Sequence, residues 1–162
     1  YGHFERLVRK QIPLVLFDRT AEGLEVGQVL IDDFAGAYKA VSHLAEQGYQ
    51  RIAHLAGFHH VTPYRKRQQG YLAALKDHGL AALPEWLIES ELDVADGRRI
   101  AEQLLALPQP PDAFFASGDA AALGVFQALQ ERGWQVPQQV GIVGFSIEPF
   151  PALLSPSLSA VD

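Results

Sequence analysis

Short apolar runs of strand length alternate with segments of helical spacing along this chain, and that order leaves few folds open. PLVLF (13–17) and QVLI (28–31) read as strands. From Asp33, a good N-cap, residues Ala37, Ala40, Val41, Leu44 and Ala45 repeat at the spacing of one helix face, and Gly48 closes that helix. RIAHLAG (51–57) is the next strand, followed by a helix from about Tyr64 that presents Tyr71, Leu72 and Leu75 and stops at Gly79. WLIES (86–90) is a further strand; Asp96 can cap a helix carrying Ile100, Leu104 and Leu105, which Pro108, Pro110 and Pro111 prevent from continuing. AFFAS (113–117) then precedes a helix opened by Asp119 with Leu123, Phe126 and Leu129, and VGIVGF (140–145) is the last clear strand. Strands apolar on both faces and joined by helices form a parallel sheet covered on both sides, so the expected fold is a doubly wound α/β protein.

Composition supports a real core. A chain of 162 residues that is 48% hydrophobic can bury about two-thirds of the surface its unfolded form exposes. Cysteine is absent, which removes disulfides and thiolate metal sites. Methionine is absent too, even at position 1, as expected of a stretch processed or cut from a longer polypeptide. The apolar runs fall far short of the roughly 20 residues of a membrane span, so no membrane partner is expected. Thirteen basic against nineteen acidic residues give a net charge of −6, the wrong sign for a surface that gathers nucleic-acid phosphates.

Open parallel sheets bind ligands beyond the carboxyl ends of their strands. That rule selects Asp18 after PLVLF, the loop HHVTPYRKR leading to Arg67, Leu92 and Asp93 after WLIES, Gly118 and Asp119 after AFFAS, and Ser146 after VGIVGF. Asp119 also suits a helix cap, and Arg67 also suits a solvated basic run with Arg65 and Lys66. Ser146 stands in GFSIE, where Glu148 replaces the second glycine of a nucleophile elbow. No histidine stands just after another strand to serve it as a base, apart from His59 and His60, so Ser146 reads as a pocket residue and no enzyme activity is expected. His59 and His60 lack a further ligand at metal spacing, and His54, inside a strand, reads as a hydrogen-bonded core histidine. Neither a phosphate-binding P-loop nor a G-x-G-x-x-G opens any helix, so no cofactor is expected.

The ordered set IPLVLFDR (12–19), V-x-x-D-x-x-x-G-A (29–37), HLAEQGYQRIAHLAG (43–57), RQQGYLAAL (67–75), PDAFFASGDAAALGVFQAL (111–129), VPQQVGIVGFS (136–146) and PSLSAVD (156–162) resembles the effector-binding region of LacI/GalR-type transcriptional regulators. The resemblance implies a type I periplasmic-binding-protein-like fold, with a small-molecule effector between two lobes and operator DNA bound only through a headpiece absent from this chain. It implies an incomplete first lobe over 1–48, the main run of the second over 49–147 and a return crossing over 148–162. A cytoplasmic homodimer is expected; a periplasmic-type solute-binding protein feeding a transporter is the competing reading. By position, Arg67 matches an effector-binding arginine, Asp119 an acid beside the pocket and Gly118 a neighbouring contact. Leu92 falls where several members stack an aromatic ring, and Ser146 where most carry an aspartate. Loss of that acid beside a retained Arg67 shifts the expected ligand towards a carboxylate or phosphate.

Overall fold

Both periodicities read from the sequence are present in a computed structural model of the chain, which describes residues 2–18, 23–145 and 154–161. The chain forms two units, Tyr1–Asp32 and Asp33–Asp162. The first holds a helix, α1 (Gly2–Arg9), and two short parallel strands, β1 (Val15–Phe17) and β2 (Gly27–Val29), paired from Val15↔Gly27 to Phe17↔Val29. Parallel strands are ordinarily buried on both faces, whereas Val15, Phe17 and Val29 are exposed here.

The second unit is one five-stranded parallel sheet. Its strands are β3 (Ile52–Ala56), β4 (Leu87–Glu89), β5 (Ala113–Ala116), β6 (Gly141–Phe145) and β7 (Ser159–Val161), in the order β4-β3-β5-β6-β7. Successive side chains of a strand point to opposite faces. Ala53, Leu55, Phe114, Ala116 and Ile142 accordingly join α4 (Val94–Leu105) and α5 (Asp119–Glu131) in one core. Ile52, Ala113, Phe115, Val143 and Phe145 join α2 (Asp33–Glu46) and α3 (Thr62–Asp77) in the other. The sheet is therefore doubly wound, as expected. Helices α4 and α5 meet backbone to backbone: a Cβ on Gly97 would stand 2.1 Å from the Ala121 carbonyl oxygen, and one on Gly124 would stand 2.1 Å from that of Val94. Only glycine fits either place.

Several local expectations are corrected. Helix α3 begins at Thr62, two residues before Tyr64, because Pro63 suits the first turn where no amide partner is needed. WLIES opens with a 3-10 turn, Pro84–Trp86, before β4. Helix α4 is capped by Asp93 rather than Asp96: Asp93 Oδ1 accepts from the Asp96 amide at 2.7 Å, and Asp96 Oδ2 accepts from the Glu91 amide at 2.9 Å. Asp119 lies inside the first turn of α5, and Gly118, which has no side chain to cap with, holds the N-cap position. Leu72 is exposed while Tyr71 and Leu75 are buried. Helix α2 packs Ala37, Val41 and Leu44 into a core shared with α3, and both helices belong to the second unit. Of the expected return crossing, residues 159–161 form the outer strand of this same sheet.

Candidate functional site

The strand order of the second unit reverses between β3 and β5: the chain goes from β3 out to β4, then back across to β5 and on to β6 and β7. Loops leaving the carboxyl ends of strands on either side of such a reversal part in opposite directions and open a crevice. Two polar side chains, Arg67 and Asp33, meet beyond β3 and β5. Arg67, in the second turn of α3, is 8% exposed and lies beside Asp33, the first residue of α2, which is 5% exposed. Arg67 Nε donates to Asp33 Oδ1 at 2.8 Å, and its Nη1 donates to the carbonyl oxygen of Ser117, just past β5, at 2.7 Å. Its Cζ rests 3.7 Å from the ring centroid of Phe145, the last residue of β6, and 5.5 Å from that of Tyr64. Paired charge, hydrogen bonds and an aromatic face together offset the large cost of burying a guanidinium.

Beneath Arg67 lies His54, fully buried in β3 and stacked on Phe115, with its centroid 4.8 Å from that ring. His54 Nε2 and Ser117 Oγ share a hydrogen bond of 2.8 Å, so the core-histidine reading holds; Nδ1 has no partner among the described residues. Burial, and then the charge of Arg67, lower the His54 pKa to about 3. The imidazole is therefore neutral at physiological pH, and Arg67 keeps Asp33 as its counter-charge.

The other expected residues fall as follows. Asp119 is 4% exposed at the start of α5, with Oδ1 only 2.3 Å from where a Cβ on Gly144 would stand. Gly118 faces Leu92, whose Cβ would lie 3.6 Å from a Cβ placed there. Leu92 is buried with φ 63°, a left-handed conformation rare for leucine and of the kind that gathers at binding sites. Asp18 belongs to the first unit, follows β1 with φ 67°, and donates its amide to the Val29 carbonyl at 3.1 Å. Ser146 lies outside the described residues. Sequence reasoning missed Asp33, taken as a cap, and Phe145, taken as core. The search for polar residues just after strands, applied beyond QVLI, would have reached the Asp32–Asp33 pair.

A doubly wound sheet of this order, with buried polar groups gathered at its switch point, has the architecture in which open α/β sheets place their ligand crevices. The chain belongs to the periplasmic binding protein-like domain family, whose model matches residues 41–162. It is 34% identical over 152 residues to the probable HTH-type transcriptional repressor ExuR of Bacillus subtilis, covering 94% of this chain and 46% of that protein. It is also 34% identical over 149 residues to the HTH-type transcriptional repressor CytR of Escherichia coli, covering 92% and 44%. A LacI-family regulatory protein from Chloroflexus aggregans superposes with a TM-score of 0.91 at 31% identity, covering 97% of this chain and 57% of that one. The resemblance to LacI-type regulators is thus borne out, and the chain spans about half the length of the curated relatives it matches.

Proposed function

We propose that this chain is the effector-sensing region of a cytoplasmic LacI-type transcriptional regulator that acts as a homodimer and binds a small molecule at the carboxyl rim of its five-stranded sheet. Arg67 and Asp33 contact the ligand there, with Asp119, Gly118 and Leu92 around it. Occupancy is coupled to operator affinity, and a coupling of about 1–3 kcal/mol changes that affinity about 5- to 150-fold. One observation carries the choice of ligand: Arg67 is already ion-paired with buried Asp33 at 2.8 Å. Its charge is answered within the protein, so an anion entering beside it would meet the Asp33 carboxylate, whereas hydroxyl and carbonyl groups can bond to both partners. This favours a neutral sugar or nucleoside and revises the anionic ligand expected when Arg67 was taken without its partner.

The test is a calorimetric panel of D-ribose, D-galactose and cytidine against ribose 5-phosphate and D-galacturonate. Binding confined to the neutral compounds, and weakened at least tenfold in Arg67→Lys, is the expected result. Binding confined to the charged compounds would overturn the neutral-ligand reading.

A further inference from the structure

We infer that Phe145 is a positioning residue for the ligand-binding guanidinium of Arg67, and that Gly36 is the residue that admits its ring. The inference deepens the proposed function, since it rests on Arg67 as a ligand contact. A separation of 3.7 Å between the Arg67 Cζ and the Phe145 centroid is van der Waals stacking, well inside the roughly 6 Å over which a cation and an aromatic face attract. The ring cannot drift, because Phe145 is buried at the end of β6 and meets Phe115 edge to face at a centroid distance of 6.4 Å. Its backbone neighbour in the sheet is Val161 of β7.

The remaining wall is α2. A Cβ on Gly36 would stand 2.8 Å from Cζ and 2.9 Å from Cε2 of Phe145, and 3.1 Å from Cγ1 of Val161. A ring confined on its other sides has nowhere to yield, so any side chain at position 36 drives it from its place over Arg67. Asp33 and Gly36 are three residues apart and share one face of α2. That face governs the guanidinium twice: Asp33 holds Nε, and Gly36 leaves room for the ring stacked on the guanidinium plane. With one face covered by Phe145, a ligand engages Arg67 through oxygen acceptors lying in the guanidinium plane, such as vicinal hydroxyls or a ring carbonyl. An aromatic ring cannot stack on the covered face.

The experiment reads Arg67 directly, through its Nε–H resonance in a nitrogen–proton correlation spectrum, assigned by its loss in Arg67→Lys. In the parent chain that proton is displaced upfield by the Phe145 ring current. The displacement is expected to survive in Phe145→Tyr and to vanish in Phe145→Leu and Gly36→Ala. Gly36→Ala also lowers the melting temperature. Adding Phe145→Leu to it removes the clash and recovers part of that loss, yet leaves the resonance unrestored, an outcome that loss of packing alone does not produce. Isotherms with D-ribose and cytidine are expected to weaken at least tenfold in Phe145→Leu and to be retained in Phe145→Tyr. An Nε–H resonance unchanged in Phe145→Leu overturns the positioning role. A resonance that moves while the isotherms of the parent chain and Phe145→Leu coincide overturns Arg67 as the ligand contact and leaves its positioning by Phe145 standing.

Discussion

Acidification tests the buried centre of the second unit most directly. His54 is fully buried, with a pKa lowered to about 3 by desolvation and then by Arg67, whereas in the unfolded chain it titrates near 6.5. Between these values the unfolded state binds a proton that the folded state refuses, so stability is complete above about pH 6.5 and falls as pH drops towards about 3. From pH 7.5 to 5.0 the histidine contribution is about 2 kcal/mol, at about 1.4 kcal/mol for each unit below 6.5. The control is His54→Phe, which suits the ring contacts with Tyr71 and Phe115 and removes both the titration and the Nδ1 that has no partner among the described residues. It leaves Ser117 Oγ without its 2.8 Å bond, at about 1–3 kcal/mol. Urea unfolding followed by the fluorescence of Trp86 and Trp134 reads both proteins. Dilute samples are needed because the sequence pI of about 5.4 lies inside the window. The parent chain should lose about 2 kcal/mol more than His54→Phe over this range. Equal losses would refute the claim that His54 is held neutral by burial.

Two further outcomes follow from the packing. Asp33→Asn or Arg67→Met leaves one buried charge without its partner and should cost about 3–5 kcal/mol by urea titration, while Asp33→Leu combined with Arg67→Met should recover most of it; a double variant no better than the singles would show that the pair is not the unit of stability. Gly97→Ala and Gly124→Ala each force α4 from α5 against backbone atoms that cannot rotate away, at about 1–3 kcal/mol apiece in thermal unfolding; because the two contacts share one gap, the double variant should cost less than the sum, and strict additivity would refute a common contact.

Much of the second unit was legible in the residues. Apolar runs such as AFFA and GIVGF are strands because both faces are covered, and the spacing of Ala37, Val41 and Leu44 marks the buried side of α2. These signals are local, spanning a few residues. The rule that ligands meet strand ends also placed Asp119, Gly118 and Leu92 on the rim, since it needs only the end of each apolar run. What joined them was not local. Arg67 reaches Asp33 across 34 positions and the Ser117 carbonyl across 50; the first contact depends on α2 and α3 packing side by side, the second on β5 lying beside β3 rather than beside β4, and no periodicity encodes either. The further pairing of β6 beside β5 brings Phe145 over the guanidinium and makes a core phenylalanine part of the candidate site. Helix packing also turned Asp33 from a helix cap into the buried counter-charge of Arg67. Residue types and spacing determined the strands, the helices and the rim; only the tertiary packing of α2 against α3 determined which charges on that rim neutralise one another, because Coulomb attraction follows distance in space and not along the chain.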